Sequence, residues 1–306
     1  METRQILIDW GTTNARAWLV DGNGVVLDRN AAPLGIRLIE SQGFEDALVS
    51  LNKDWPFDPD TPVLMSGMIG SRQGWQEIPY VDCPVSLEDL HHGIREVRSA
   101  PNIKIVPGVH WQLPNDVHDV MRGEEVQIFG ALTDVSADSG PLLFCLPGTH
   151  AKWAVVEKNR LVQFATSLTG EAFSALADHT ILRALMPDQD NVSYTARQSG
   201  FSEGLQRSRQ SGGLLNHLFS VRAQPLFDEI PADSVHGYLS GVLIGHEVSD
   251  MLKMFDEHRQ IIVVGEGDLA RHYVDAITAH DVAASLISAE KATLDGLMRL
   301  ASWSSK

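Results

Sequence analysis

The chain has 306 residues, 43% apolar and 21% charged, and its 24 Lys and Arg against 40 Asp and Glu give a formal charge of −16 at pH 7. That length can bury two cores, and that charge repels nucleic acid and anionic membrane surfaces, so an anionic ligand must be held by cations gathered locally. No apolar run approaches the roughly 18 residues of a membrane span, and no leader-like core precedes Asp9, so a cytoplasmic protein is expected.

Ile6-Leu7-Ile8 reads as an apolar strand ending in Asp9, and Gly11-Thr12-Thr13-Asn14 turns it into a second strand over Ala17-Trp18-Leu19-Val20. Asp21-Gly22-Asn23-Gly24 turns that into a third at Val25-Val26-Leu27. Gly and Asn tolerate positive φ, so this is hairpin chemistry and the chain opens as an antiparallel meander. A helix over about 43–51 follows, then a short buried strand in Pro62–Met65 that breaks into the Gly-rich loop Ser66–Gly70. A strand at Ile103–Val106 and a helical period from about Val120 to Leu132 complete the first half, and a domain boundary is expected at 135/136.

The organisation then starts again. Leu142–Leu146 is a strand, Pro147-Gly148-Thr149-His150 a turn, Lys152–Val156 a strand, and Leu161–Phe164 another after the turn Glu157–Arg160. Gly148-Thr149, a cation at Lys152, Trp153 and a β run match Gly11-Thr12, Arg16, Trp18 and the run after it, with one residue deleted, about 137 positions apart. Helices are expected near 171–185, 200–210 and 234–255, the last with glycines that allow close approach. Strands at Ile261–Val264 and Val282–Ile287 alternate with helices over 269–277 and from about 291, giving a mixed sheet flanked by helices in each half. Cys83 and Cys145 lie in apolar contexts and read as buried thiols, and the twelve scattered histidines show no metal-ligand spacing.

A tight turn of small residues between two strands leaves backbone amides unpaired beside Thr hydroxyls, which makes a nest for phosphate oxygens. Gly11, Thr12, Thr13 and Asn14 form one such turn and Gly148 and Thr149 the other, with Arg16 and Lys152 as matched cations behind them. Asp9, at the end of the first strand, is placed to hold Mg²⁺, because hard cations take carboxylate and phosphate oxygens. The second copy has Leu146-Pro147 where Asp9-Trp10 fall. The plainer alternative is a pair of ordinary hairpin turns, one of them capped by an Asp.

These residues carry a resemblance. Apolar-apolar-apolar-Asp-x-Gly-Thr-Thr-Asn-x-Arg resembles the first phosphate motif of the actin-like ATPase and sugar-kinase superfamily, and LPGTHAKWAVV its second. Gly265-Glu266-Gly267 stands where that superfamily has its adenosine motif, with Glu266 interrupting the glycines. IDWGTTNARAW, MSGMIGSRQGW, VMRGEEVQIFGA, LPGTHAKW, SLTGE and YLSGVLIGHE, in this order over nearly the whole chain, resemble the 2-dehydro-3-deoxygalactonokinase family. The resemblance implies an α/β fold of two actin-like (ribonuclease H-like) domains, each a mixed five-stranded sheet flanked by helices, with an interdomain cleft. Residues 1–135 would carry the first phosphate motif and the sugar-acid site, and 136–306 the second phosphate motif and the adenosine motif. It also implies transfer of phosphate from ATP to the 6-hydroxyl of 2-keto-3-deoxygalactonate in galactonate breakdown.

A sugar acid and ATP are both anionic, so the cations matter. Arg122 and Arg72, in loops beside glycines, are candidates for gripping the substrate carboxylate through paired hydrogen bonds, with Arg16 and Ser71 beside them. Phosphoryl transfer calls for positioning, charge neutralisation and a carboxylate to take the hydroxyl proton. Glu124 is the favoured base, by similarity to the Ser-Gly-Glu-Glu setting of related phosphatases; Asp116, in an Asn115-Asp116 pair, and Glu125 are its rivals. The competing functions are an exopolyphosphatase-type phosphohydrolase, a kinase of another 2-keto-3-deoxy sugar acid, a nicotinamide-binding protein built on Gly265-Glu266-Gly267-Asp268-Leu269-Ala270, and a non-catalytic actin-like module. A homodimer is the expected assembly.

Overall fold

The computed structural model describes residues 4–39, 43–55, 60–114, 116–135, 140–187, 192–255 and 260–303; Asn115 and the expected boundary at 135/136 touch the gaps between them. Contacts gather the chain into two units. One is Met1–Pro141 with Ala154–Phe164 and Ile287–Lys306, and the other is Leu142–Trp153 with Ala165–Leu286. The stretches Ala154–Phe164 and Ile287–Lys306, read from sequence as part of the second half, therefore cluster with the first.

Unit 1 is built on a sheet of order β3-β2-β1-β4-β8-β7. Its strands are β1 (Arg4–Trp10), β2 (Ala15–Asp21), β3 (Val26–Ala32), β4 (Val63–Gly67), β7 (Arg95–Val97) and β8 (Ala100–Ile105). The meander forms as its turns require: Asp21 Oδ1 accepts from the amides of Asn23 at 2.9 Å and Val25 at 2.8 Å, and Gly24 takes φ +81°. Ile6, Leu7, Ile8 and Trp10 have no exposed surface, as expected of a central strand covered on both faces. Its parallel pairing with β4 sets Asp9 beside Ser66 and Trp10 beside Gly67 at one end of the sheet. A small sheet of β5 (Val81–Asp82), β9 (Val109–Gln112) and β10 (His118–Met121) follows the order β10-β9-β5.

Helices α1 (Phe44–Leu51), α2 (Leu87–Gly93), α3 (Glu124–Ala131) and α9 (Ala289–Trp303) complete the unit. Two glycines bring α3 and α9 together: a Cβ on Gly130 would lie 1.8 Å from the Ala292 carbonyl oxygen, and one on Gly296 2.1 Å from that of Val126. The helical period expected from Val120 begins later than predicted. Val120 and Met121 belong to β10, and Gly123 at φ +111° separates that strand from the helix.

The second sheet runs β15-β14-β11-β12-β13-β6, with β6 (Val85–Ser86), β11 (Leu142–Leu146), β12 (Ala151–Glu157), β13 (Arg160–Ser167), β14 (Gln260–Gly265) and β15 (Ala283–Ser288). Read from β13, the order β13-β12-β11-β14-β15 repeats β3-β2-β1-β4-β8, which is the internal repeat seen in the sequence. Each sheet has these five strands plus one short edge strand, β7 or β6, making six where five were expected.

Unit 2 adds α4 (Thr169–His179), α5 (Tyr194–Ser208), α6 (Gly213–Leu226), α7 (Val235–Met254) and α8 (Gly267–Thr278). The glycines of α7 do what their spacing suggested: a Cβ on Gly237 would lie 2.0 Å from the Arg197 carbonyl oxygen, and one on Gly241 2.2 Å from that of Phe201. Only glycine lets α5 and α7 lie backbone to backbone here. Helices α2 and α6 were not anticipated. Cys145 is buried, Cys83 partly so, and both are free thiols. Among the described residues no helix is long and apolar enough to cross a membrane.

Candidate active site

Strand β1 delivers Asp9 to the end of the unit 1 sheet, where its register partner on β2 is Arg16. Arg16 Nη2 lies 3.3 Å from Asp9 Oδ2, with the two side chains 37% and 16% exposed. Burial raises the Asp9 pKa, Arg16 opposes that rise, and the negative charge of Glu124 adds to it. Glu124 therefore stands within the electrostatic reach of Asp9, and two glycines explain how. A Cβ on Gly67, at φ +91°, would sit 2.7 Å from the Trp10 carbonyl oxygen and 3.3 Å from Asp9 Oδ1; one on Gly123 would sit 3.2 Å from Gly67 Cα. The start of α3 thus presses against the end of β4 beside Asp9.

The two adjacent glutamates behave differently. Glu124 is partly exposed and its Oε2 accepts from the Arg122 amide at 3.0 Å. Glu125 has no exposed surface; its Oε1 and Oε2 accept from the Gly123 amide at 2.9 and 2.7 Å. Burial, and then the charge of Glu124, push its pKa up to about 8.

The turn before β2 is held from beneath. Gly11 donates to the Asn14 carbonyl at 2.9 Å, while the carbonyls of Thr13, Gly11 and Thr12 accept from the amides of Gly35, Ile36 and Arg37. The amides of Thr12 and Thr13 donate no hydrogen bond among the described residues, which is the condition a phosphate nest requires.

Arg122 is 8% exposed. Its Nη2 donates to the Ile78 carbonyl at 2.8 Å and its guanidinium carbon lies 4.3 Å from the centre of the Tyr80 ring, a cation–π stack. Nη1 lies where a side chain on Gly70 would meet it, at 2.9 Å. Its Nε and Nη1, together with the hydroxyls of Ser66 and Ser71, are buried without a hydrogen-bond partner. Arg72 is elsewhere: its side chain is 81% exposed and faces Glu77 at 3.4 Å. Asp116 is also apart from the others, exposed at φ +63° in the turn between β9 and β10, where it accepts from Gln112 Nε2 at 3.1 Å. The whole of β10 lies between it and Arg122.

Unit 2 places Gly148 and Thr149 between β11 and β12, and a cavity of about 290 Å³ opens beside them. Thr169 and Gly170 from the start of α4, Ser240 from α7, and Leu269 and Tyr273 from α8 line it further. The turn is clamped onto α4, since the Glu171 amide donates to the Thr149 carbonyl at 3.0 Å and a Cβ on Gly170 would lie 2.4 Å from the Gly148 carbonyl oxygen. Gly148 itself has open space where a side chain would go. Behind Tyr273, Glu247 accepts from the Tyr273 hydroxyl and from Trp153 Nε1, both at 2.7 Å, and burial raises its pKa. Lys152 is 4% exposed and its Nζ donates to the His150 carbonyl at 3.1 Å. Gly265 ends β14 against Ala270, and Gly267 opens α8 at φ +62°; neither lines the cavity.

The model of the 2-keto-3-deoxy-galactonokinase family matches residues 9–300. The chain belongs to this family. It is 33% identical over 301 residues to the 2-dehydro-3-deoxygalactonokinase of Escherichia coli K12, covering 98% of each chain. It is 32% identical over 292 residues to a Rhizobium meliloti protein assigned the same activity, covering 95% of this chain and 94% of that one. A Sinorhizobium meliloti protein assigned as a 2-dehydro-3-deoxygalactonokinase has a crystal structure that superimposes with a TM-score of 0.86 at 30% identity, covering 97% and 98%. The Clostridium difficile activator of 2-hydroxyisocaproyl-CoA dehydratase shares the fold at a TM-score of 0.54 and 11% identity. The α/β fold is thus that of the actin-like ATPases and sugar kinases.

Within this galactonokinase fold, several site residues were absent from the sequence-based candidates: Ser66, Tyr80, Thr169, Gly170, Ser240 and Glu247. Thr169 and Gly170 fall in SLTGE, and Ser240 and Glu247 in YLSGVLIGHE, so their motifs were visible while their placement was not. Tyr80 carries no such signal; only the fold sets its ring under Arg122.

Proposed function

We propose that the chain transfers the γ-phosphoryl group of ATP to the 6-hydroxyl of 2-dehydro-3-deoxy-D-galactonate, in the cytoplasm and within galactonate catabolism. The observation that carries the site assignment is the group of unpartnered buried atoms in unit 1: Arg122 Nε and Nη1 and the Ser66 and Ser71 hydroxyls. A buried donor without a partner costs about 1–3 kcal/mol, more when charged, so this group favours a ligand rich in acceptor oxygens. A sugar acid supplies a carboxylate for the guanidinium and hydroxyls for the serines.

Glu124 is the base that takes the proton from the acceptor hydroxyl. Glu125 is spent on the Gly123 amide and stays protonated below about pH 8, whereas Glu124 is partly open and faces Asp9 electrostatically. Divergent environments assign divergent roles to neighbouring carboxyls. Thr12 and Thr13 in unit 1, and Gly148 and Thr149 in unit 2, offer amides and hydroxyls to the phosphates, and the unit 2 cavity, near the lower end of ligand-pocket volumes, takes the nucleoside.

Mg²⁺ fits this donor set. Asp9 is a largely buried carboxylate at the end of β1, paired with Arg16 alone among the described cations, and Gly67 keeps the space over its Oδ1 free of a side chain. Mg²⁺ needs only one or two protein carboxylates when phosphates and water supply the rest. When bound, it would neutralise charge on the transferring phosphoryl group; Asp9 would hold it, while Arg16 balances Asp9 in its absence. The deciding measurement is ADP formation with a panel of 2-keto-3-deoxy sugar acids. Turnover should require the acceptor and favour the galactonate-derived acid, whereas equally fast phosphate release from ATP without acceptor would point to a phosphohydrolase.

A further inference from the structure

Helix α6 has two apolar sides. His217 and Val221 are buried in unit 2, yet on the other side Leu215 is 83% exposed, Phe219 69% and Leu226 57%, with Phe227 at 77% and Leu214 at 38% next to them. Scattered exposed apolar residues are ordinary, but five on one helix and its C-terminal cap are not. At ~150–250 Å² for each aromatic side chain, they present on the order of 600 Å², the upper end of what a monomer leaves uncovered. A stable interface takes about 800 Å² from each partner, so this surface with a modest rim is enough.

The spacing identifies the occupant. Along the outer side, Leu215, Phe219, Arg222 and Leu226 follow one another at intervals of four, three and four residues, a sequence of steps that reads the same in both directions. An antiparallel pair of α6 helices related by a two-fold axis therefore superimposes this row on itself, as an isologous contact requires. Leu215 then meets Leu226 of the partner subunit. The single cation in the row falls opposite an aromatic ring, Arg222 against the partner's Phe219, where a cation–π contact forms instead of an unpaired buried charge. Among the described residues Arg222 makes no ion pair or hydrogen bond within its own chain, so it is available for this contact.

We propose that the outer side of α6 is the surface through which two copies of this chain associate, antiparallel about a two-fold axis. Charge supports the choice of a second copy. Two molecules at −16 repel each other, so self-association must use a surface free of acidic groups, and the row from Leu214 to Phe227 contains none. The surface lies within unit 2 and does not depend on which reaction the enzyme performs.

Sedimentation equilibrium of the full chain at 1–100 µM, with circular dichroism and turnover as checks of folding, tests the proposal. The wild type should be a dimer. F219K places a Lys against the partner's Arg222 and should weaken dimerisation at least 30-fold, while F219E places a carboxylate there and should weaken it less, with an affinity that falls as salt rises. Adding R222E to F219K should restore most of the lost affinity. A monomeric wild type, or an F219K variant that dimerises like it, would overturn the surface. Equal effects of F219K and F219E, or no rescue by R222E, would overturn the antiparallel pairing. None of these substitutions touches the phosphate turns or the carboxylates, so turnover at saturating substrate should persist in any folded variant.

Discussion

Glu125 makes the stability of unit 1 depend on pH in a direction opposite to most carboxylates. Its carboxyl is wholly buried, so desolvation opposes ionisation first and the neighbouring Glu124 charge second, and its pKa rises from 4.5 to about 8. Between those two values the folded chain holds a proton that the unfolded chain has lost. Stability from this group is therefore complete below about pH 4.5 and is lost as pH rises to about 8, each unit being about a factor of ten in the unfolding constant. Glu125→Gln keeps the shape and one acceptor for the Gly123 amide while removing the titration.

Denaturant unfolding of both proteins at pH 5.5, 6.5, 7.5 and 8.5 isolates the effect, because every other titrating group is common to the two and cancels in the difference. Over that range the stability difference should move in favour of the Glu125→Gln variant by roughly 3 kcal/mol, two to three pH units at ~1.4 kcal/mol each. A difference that stays flat would show that Glu125 is already ionised in the folded chain, and with it the argument that leaves Glu124 as the base would fall.

The remaining expectations concern single contacts. Asp9→Asn should abolish Mg²⁺-dependent turnover while the far-ultraviolet circular dichroism is unchanged; undiminished turnover would remove Asp9 from the metal. Gly148→Ala adds a methyl where there is open space and no positive φ, so its melting temperature should match wild type while the KM for ATP rises severalfold, and an unaffected KM would place the phosphates elsewhere. Arg122→Lys keeps the charge but loses the planar fork, and should raise the KM for the sugar acid more than that for ATP. Gly130→Ala forces α3 from α9 by placing a Cβ 1.8 Å from the Ala292 oxygen, and should cost at least about 2 kcal/mol in unfolding free energy.

Much of the fold was legible because turns and strands announce themselves locally. The Asp21–Gly24 turn, the apolar run of β1 and the Gly-Thr turns each need only neighbouring residues, and together they produced the meander and its repeat. Helix α2 was missed although it carries a local signal, a reciprocal capping box in which Ser86 Oγ accepts from the Asp89 amide and Asp89 Oδ2 from the Ser86 amide. Helix α6 was hidden for a physical reason: apolar residues lie on two sides of it with only the narrow stripe Asn216, Ser220 and Gln224 between them, and it opens on Gly213 after Gly212, both at positive φ.

The site divides the same way, between what neighbours decide and what the fold decides. Arg72 and Arg122 both stand in loops beside glycines, and composition cannot separate them; the fold does, stacking Arg122 on Tyr80 and leaving Arg72 in solvent. Glu124 and Glu125 differ by one step around a helix, roughly 100° of rotation, and only the fold leaves one partly open, within electrostatic reach of Asp9, and buries the other. The paired cations of the repeat show the principle most directly. Arg16 and Lys152 follow equivalent turns on equivalent strands, but Arg16 has Asp9 across from it, whereas the corresponding position in the second copy is the buried, uncharged Leu146. Lys152 donates from its ammonium to the His150 carbonyl of its own turn, and in the proposed reaction a duplicated loop comes to serve a carboxylate and its metal in one unit and phosphates in the other.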